Sequence, residues 1–206
     1  MADKKFRVNV YIDGFNFYYG LKNKNWKKYY WLDIVKFYEL FMNENQSLNK
    51  VLYCTAKISN SDQRKRQKAL FDVNDLNPKF ELIYGKFLEK EVGYGPNRFK
   101  TFEEKQTDVN LAINLIRNII NDTCDTSIIV SADSDIIPAI ELAKEIKPDH
   151  KIYCHFPPKR HSVDLQNKCD GVINLERYEK RFKKCILDEE VKINEAISIK
   201  KPTSWC

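Results

Sequence analysis

Short apolar runs alternate along this chain with longer segments in which apolar residues recur at helical spacing. Apolar runs bounded by polar residues are typical of buried strands. They fall at residues 6–13, 50–58, 80–88, 127–130 and 151–156. Helical patterns open at Gly14 and cover residues 32–42, 64–76, 107–121, 134–145 and 162–168. This alternation predicts right-handed βαβ crossovers and an α/β fold, with a central parallel sheet of about five strands flanked by helices.

The chain of 206 residues has the length of one domain, and its character changes after about residue 176. We therefore predict a domain at residues 1–176. Residues 177–206 are charged and amphipathic, and we predict that they form a C-terminal helix with a frayed end. Gly93, Gly95 and Pro96 predict an irregular excursion before the helix at 107–121.

Composition narrows the class of protein only modestly. A hydrophobic fraction of 43% allows a sizeable core, and no apolar run reaches the 18 residues of a membrane span. We expect no membrane partner and, because the N-terminus lacks the apolar segment of a signal peptide, a cytoplasmic location. The six cysteines form no C-x-x-C pair and are expected to be free thiols. The net charge of +6 permits a polyanionic partner without demonstrating one.

Aspartates follow two of the predicted strands directly. Asp13 ends the first strand, and Asp133 and Asp135 follow the fourth in the sequence SIIVSADSDIIP, while Asp108 begins a helix. If the strand order reverses beside the first strand, the first and fourth strands are neighbours, and their carboxyl ends flank a ligand crevice. Each aspartate also has a structural alternative, as a helix cap, a turn residue or a partner of a helix dipole.

Carboxylates that meet at one crevice repel each other unless a cation lies between them. Carboxylate oxygens with open coordination positions suit Mg²⁺ or Mn²⁺. Such an ion can activate water and stabilise a displacement at phosphorus. The chemistry predicted for this crevice is therefore phosphodiester hydrolysis.

Three motifs in order carry a resemblance to a known family. They are YIDGFNFYYGL at 11–21, KQTDVNLA at 105–112 and IVSADSDI at 129–136, supported by RKRQKALF after the second strand and by FPPKRHSVDL and KCDGVI near the end. Together they resemble the NYN domain family, most of all its LabA-like branch, within the PIN-like nuclease group. The likeness covers roughly residues 6–176 and implies a PIN-like, Rossmann-like domain with metal-dependent nuclease activity.

The resemblance implies a role for each matching residue. Asp13, Asp108 and Asp133 match direct metal ligands, and Asn16 matches a neutral ligand or a phosphate contact. Asp135 would act through water or orient the nucleophile. Two serines of the same motif, Ser131 and Ser134, would donate hydrogen bonds to carboxylates or phosphate.

The chain departs from the family's pattern at three places. Gln106-Thr107 stands where a glycine commonly precedes the helix, and Ala132 replaces the glycine of S-G-D-S-D. Asn114 stands where an acidic residue is often found six positions after Asp108. An asparagine can bind metal or hold water but adds no charge, so this replacement predicts a weaker metal affinity or a shifted activity.

Basic and aromatic side chains supply candidate contacts to nucleic acid. Arg64, Lys65 and Arg66 form a basic run that is either a solvated helix face or a phosphate-binding surface, and Lys105 is a candidate phosphate contact. Four aromatic residues follow the first strand and either join the core or stack on bases: Phe15, Phe17, Tyr18 and Tyr19.

The leading hypothesis is a metal-dependent endoribonuclease that cuts single-stranded or structured RNA. The alternative is an RNA-binding or regulatory module that has weak or no turnover, a reading that Asn114 motivates. A phosphatase is disfavoured, because Asp13-Gly14-Phe15 is not the D-x-D that a first-strand nucleophile typically requires. A homodimer is left open, since the tail after Glu176 could pair with a partner helix.

Overall fold

The computed structural model describes residues 5–92 and 98–205, and it describes residues 87–92 and 99–105 by their backbone alone. Seven strands form the central sheet, and two more form a separate hairpin. The strands of the sheet are β1 (Phe6–Asp13), β2 (Gln46–Ala56), β3 (Phe80–Val92), β4 (Phe99–Lys105), β5 (Thr126–Val130), β6 (Lys151–Phe156) and β7 (Gly171–Asn174).

The sheet has the order β4-β3-β2-β1-β5-β6-β7. Every neighbouring pair is parallel except β3 and β4, so six strands form the parallel part. The predicted α/β fold is confirmed, as is the pairing of the first strand with the strand at 126–130. Sequence patterns missed β4 and β7, and the excursion predicted at Gly93, Gly95 and Pro96 lies outside the described residues.

Helices cover both faces of the sheet because the central strands are apolar on both sides. In β1, Val8, Val10 and Ile12 belong to one buried cluster, while Tyr11 belongs to the cluster on the opposite face. The helices are α1 (Gly14–Asn23), α2 (Ile34–Glu39), α3 (Ser61–Asn74), α4 (Thr107–Ile120), α5 (Ile137–Ile146), α6 (Val163–Lys168) and α7 (Glu179–Lys184).

The C-terminal segment differs from the prediction of one helix with a frayed end. The helix is present as α7 but has only six residues, and a hairpin of β8 (Glu190–Lys192) and β9 (Ser198–Lys200) follows it. The chain then ends on the domain itself, where the indole of Trp205 is only 8% exposed and packs against Trp31. Burial of the Trp205 indole against Trp31 stabilises this segment on the domain.

Other expectations concern thiols and membranes. Cys54, Cys124, Cys154, Cys169 and Cys185 are free thiols, as predicted, and Cys206 lies outside the described residues. Among the residues described, no helix is both long enough and apolar enough to cross a bilayer.

Candidate active site

The first strand ends directly in a helix, and this junction positions Asp13. Asp13 is the N-cap of α1, and its Oδ1 accepts a hydrogen bond from the backbone N of Asn16 at 2.9 Å. The helix can start this close to β2 only because Gly14 has no Cβ, which would lie 2.4 Å from the ring of Tyr53 and 2.9 Å from the carbonyl of Cys54. Asp13 is consequently held at the carboxyl end of the sheet with 5% of its surface exposed.

The loop after β5 is tied to the same junction. Ser131 Oγ donates to Asp13 Oδ2 at 3.0 Å and accepts from the backbone N of Asp133 at 3.0 Å. The side-chain oxygen of Asn16 accepts from the backbone N of Ala132 at 3.2 Å. These bonds join the ends of the two strands at which the sheet order reverses, the position where open α/β sheets bind ligands. Burial raises the pKa of Asp13, a shift that these hydrogen bonds oppose and the nearby charge of Asp133 reinforces.

Asp108 reaches the site from the second position of α4. The residue before this helix, Gln106, has φ 78°, a left-handed conformation that glycine adopts without strain. This explains why a glycine is common in this part of the family motif. Burial, together with the charges of Asp13, Asp133 and Asp135, raises the pKa of Asp108 to about 6. The carboxylates therefore interact, although Asp108 is exposed on its outer side.

A small polar pocket of about 170 Å³ joins three of the predicted aspartates. Its lining consists of Asp13, Phe15, Asn16, Tyr19, Asp108, Asp133 and Arg160. We call this space the carboxylate pocket.

Arg160 was missed by the sequence reasoning. It lies in the loop between β6 and α6, and its Nε is buried without a hydrogen-bond partner among the described residues. The loop turns toward the pocket at Lys159, which has φ 58°. The sequence FPPKRH at 156–161 could have indicated a basic residue at this strand end, since the prolines stop the strand and a parallel sheet presents all such ends on one edge.

Other predicted residues lie apart from the carboxylate pocket. Ser134 and Asp135 are exposed on the turn that Asp133 caps, and neither lines the pocket, although the charge of Asp135 acts on Asp108. The amide of Asn114 is largely buried and stays within α4, where it donates to the carbonyl of Asn110 at 2.7 Å.

The three residues of the basic run on α3 lie in different environments. Arg64 folds back on the preceding loop, where its guanidinium donates to the carbonyls of Ile58 and Ser59. Arg66 lines a cleft beside α1, and Lys65 is exposed. Lys105 ends β4, and its side chain lies outside the described part of the structure.

The oxygen donors of the carboxylate pocket are of the type that a hard divalent cation prefers, but their spacing suits such a cation less well. The pocket offers carboxylate and amide oxygens, and the pKa of Asp108 is raised by burial and then by the repulsion of its neighbouring carboxylates, which a cation would relieve. Among the described residues, however, no three His, Cys, Asp or Glu side chains form a ready metal-ligand group. Mg²⁺ commonly uses only one or two protein carboxylates and retains several waters, so the residues present fit such an ion.

Carboxylates at the point where the order of an open α/β sheet reverses, its switch point, are consistent with the PIN-like class of α/β proteins. The NYN domain model matches residues 7–176, and the chain belongs to this family, which is part of the PIN-like nuclease superfamily. The LabA-like branch stays a prediction.

Two other proteins extend the comparison, one by sequence and one by fold. The chain is 28% identical over 177 residues to the 6-hydroxy-3-succinoylpyridine 3-monooxygenase HspA of Pseudomonas putida, a match that covers 67% of this chain and 55% of that protein. The chain thus spans about half the length of this curated relative. The fold resembles a crystal structure of a Vibrio parahaemolyticus protein of unknown function, with a TM-score of 0.56, 16% identity and coverage of 84% of this chain and 94% of the other.

Proposed function

We propose that this protein is a metal-dependent ribonuclease that hydrolyses phosphodiester bonds of RNA in the carboxylate pocket. The observation that carries the proposal is the meeting of Asp13, Asp108 and Asp133 with Arg160 in one pocket at the switch point of an NYN domain. Acidic oxygens beside an arginine match the two needs of this reaction, a cation site and a contact for the phosphate.

Each pocket residue has a distinct part in this proposal. Asp13, Asp108 and Asp133 would hold Mg²⁺ or Mn²⁺, and the bound ion would supply a water of lowered pKa and stabilise negative charge on the phosphate. Ser131 fixes the carboxylate of Asp13 by its hydrogen bond. Arg160, whose Nε has no partner within the described part of the structure, donates to a phosphate oxygen of the substrate. Asp135, exposed beside the pocket, orients the attacking water.

Cleavage of a labelled RNA oligonucleotide in Mn²⁺ or Mg²⁺ tests this proposal. We expect the wild-type protein to cut the RNA, and Asp13→Asn or Asp133→Asn to lower the rate by at least about 100-fold, because charge stabilisation of this kind is worth several kcal/mol. The matched control is Asp149→Asn. Asp149 is exposed and precedes the amino end of β6, so it lies at the opposite end of the parallel strands from the pocket. Cleavage that persists when Asp13 and Asp133 are both replaced refutes the site.

An RNA-binding module with weak or no turnover is the second candidate. Two observations favour it, the uncharged Asn114 held within α4 and the absence of a ready three-ligand metal group among the described residues. In that case RNA binds with steep salt dependence, yet no divalent ion yields a product. The same cleavage assay, paired with a binding assay, separates the two candidates.

The name of the Pseudomonas relative describes a different reaction, on a hydroxypyridine. The carboxylates, amide and arginine of this pocket are ligands for hard cations and phosphate, which favours phosphoryl chemistry for this chain. Incubation with 6-hydroxy-3-succinoylpyridine serves as a comparison, and we expect no turnover. A cytoplasmic location and a homodimer stay predictions.

A further inference from the structure

A second cavity of about 370 Å³ opens beside the carboxylate pocket, between α1 and α3. Aromatic rings of α1 line one side, Arg66 and other residues of α3 line the opposite side, and Trp205 closes one wall. We call this cavity the aromatic cleft. Its size is within the range of pockets that bind small ligands.

The aromatic cleft is continuous with the carboxylate pocket. Phe15 and Tyr19 line both cavities, because both rings project from the first turns of the helix that Asp13 caps. The two rings stack at a centroid distance of 6.3 Å with an interplanar angle of 26°. A group bound in the cleft would therefore lie next to a phosphate bound at the carboxylates.

Two rings of this cleft are accessible, although most of the described aromatic side chains are in the core. Tyr18 is 36% exposed and Tyr19 42% exposed. Exposed aromatic rings grouped beside a polar site indicate a surface for binding flat ligands.

The charges around the aromatic cleft suit an anionic ligand. Lys22 and Arg66 line it, and no described residue of its lining is acidic. Lys22 lies with its Nζ 5.5 Å from the centre of the Tyr19 ring, which holds the ammonium at the cleft. The neighbouring cavity on the other side of α3 differs, since its lining mixes Lys57, Arg64 and Lys68 with three acidic residues, Asp72, Asp75 and Glu81.

We propose that the aromatic cleft binds an unpaired nucleobase of single-stranded RNA, adjacent to the phosphodiester held at the carboxylates. This inference rests on the proposed function and deepens it, because it selects single strands over duplexes. A base can stack on Tyr19 only after it leaves its own helix, so paired RNA cannot fill the cleft. Lys22 and Arg66 contact the backbone phosphates that flank the base, and the site is tolerant of base identity because every base has a ring face.

Fluorescence anisotropy tests the cleft with a labelled, unstructured 12-nucleotide RNA and its blunt duplex, in buffer with EDTA so that no cleavage occurs. Stacking of one base is worth ~1–3 kcal/mol, so Tyr19→Ala should weaken single-strand binding by roughly 5- to 150-fold. Tyr19→Phe keeps the ring and should bind within about twofold of wild type. Phe6→Ala is the matched control, since Phe6 is 60% exposed at the amino end of β1, far from the cleft along the strand.

Salt titration tests the charges. Arg66→Gln should reduce the slope of log K against log salt by about one, while Lys65→Gln, which removes the adjacent charge outside the cleft lining, should change it much less. The proposal is overturned if Tyr19→Ala and Arg66→Gln bind the single strand as wild type does. It is also overturned if the duplex binds equally well and responds equally to both changes.

The experiments distinguish failure of the ribonuclease proposal from failure of the aromatic cleft proposal. If single-strand binding depends on Tyr19 but no metal gives cleavage, the ribonuclease proposal falls and the aromatic cleft stands. If the RNA is cut while Tyr19→Ala neither weakens binding nor raises KM, the cleft falls and the ribonuclease stands.

Discussion

The substitution Asp108→Asn is predicted to stabilise the metal-free protein while removing a residue of the proposed site. The pKa of Asp108 is raised from 3.8 to about 6 by burial and by three neighbouring carboxylates. A raised pKa means that the folded state holds the proton more tightly than the unfolded state does. Below pH ~4 the group is largely protonated in both states, so the penalty is small; it develops between pH ~4 and about 6 and is fully present at higher pH.

The size of the effect follows from the shift and the exposure of the side chain. A shift of this size corresponds to at most about 3 kcal/mol at ~1.4 kcal/mol per unit. Asp108 is more than a third exposed, so screening by water reduces the expected value to about 1 kcal/mol. Replacing Asp108 also removes its favourable interaction with the helix dipole. This loss lowers stability by ~0.3–1 kcal/mol, opposes the gain, and must be measured separately.

Thermal or urea unfolding in EDTA at pH 4 and pH 8 measures this difference. We expect Asp108→Asn to gain about 2–4 °C in melting temperature over wild type between pH 4 and pH 8 once the helix-dipole loss seen in the control is subtracted, since ~1 kcal/mol shifts the midpoint by that amount in a chain of this size. The control is Asp62→Asn, because Asp62 occupies the same second position of α3, a helix of equal length, outside the carboxylate pocket. It reports the helix-dipole contribution alone.

Added metal should reverse the order of stability of wild type and Asp108→Asn. At a free Mn²⁺ concentration of 100 times Kd, wild type should gain ~2.7 kcal/mol, and Asp108→Asn should gain less. The reasoning is refuted if the stability difference does not grow between pH 4 and pH 8, or if Asp62→Asn shows the same growth. An Asp133→Asn background should shrink the effect, because it removes one of the repelling charges.

Three further substitutions test the fold. Gln106→Gly should raise stability by ~0.5–1 kcal/mol in a urea titration. Gln106 adopts a left-handed conformation that costs roughly 1–2 kcal/mol; glycine removes this cost, but part of the gain is lost because glycine loses more conformational entropy on folding. Gly20→Ala should lower stability by ~1–3 kcal/mol, because its Cβ would lie 2.7 Å from Cβ of Pro157. Arg7→Gln should flatten the loss of stability between pH ~4 and pH 2, because the Arg7 hydrogen bond lowers the pKa of Asp125 to about 2 and this stabilisation is lost as Asp125 is protonated.

The sequence predicted the parallel sheet well because buried strands have a strong apolar signal. The first strand and the strand at 151–156 were predicted with their observed ends. β4 and β7 were missed for different reasons. The sequence of β4, FKTFEEK, is mostly polar, as an edge strand can be, and β7 has only four residues.

The candidate site was only partly predictable. Carboxylates at strand ends follow from topology, and Asp13 and Asp133 do meet across the switch point. Arg160 depends on the path of a loop that turns at a left-handed Lys159, which no periodic pattern encodes. Which residue of the basic run faces α1 depends on the rotation of α3, and the sequence alone did not separate Arg64 from Arg66.

The C-terminal segment changes how the two cavities relate to the family. The NYN match ends at residue 176, and every residue of the carboxylate pocket lies within it. The residues that line the aromatic cleft, Lys22 and Arg66 among them, lie within the matched region, except for Trp205. Trp205 closes one wall of the cleft and lies 29 positions beyond the match. Trp205 reaches that wall because it packs on Tyr30 and Trp31, so the hairpin and the last turn are held against the domain. If hydrolysis belongs to the carboxylates, then the chemistry is common to the family fold, whereas the shape of the base site depends on a segment outside it.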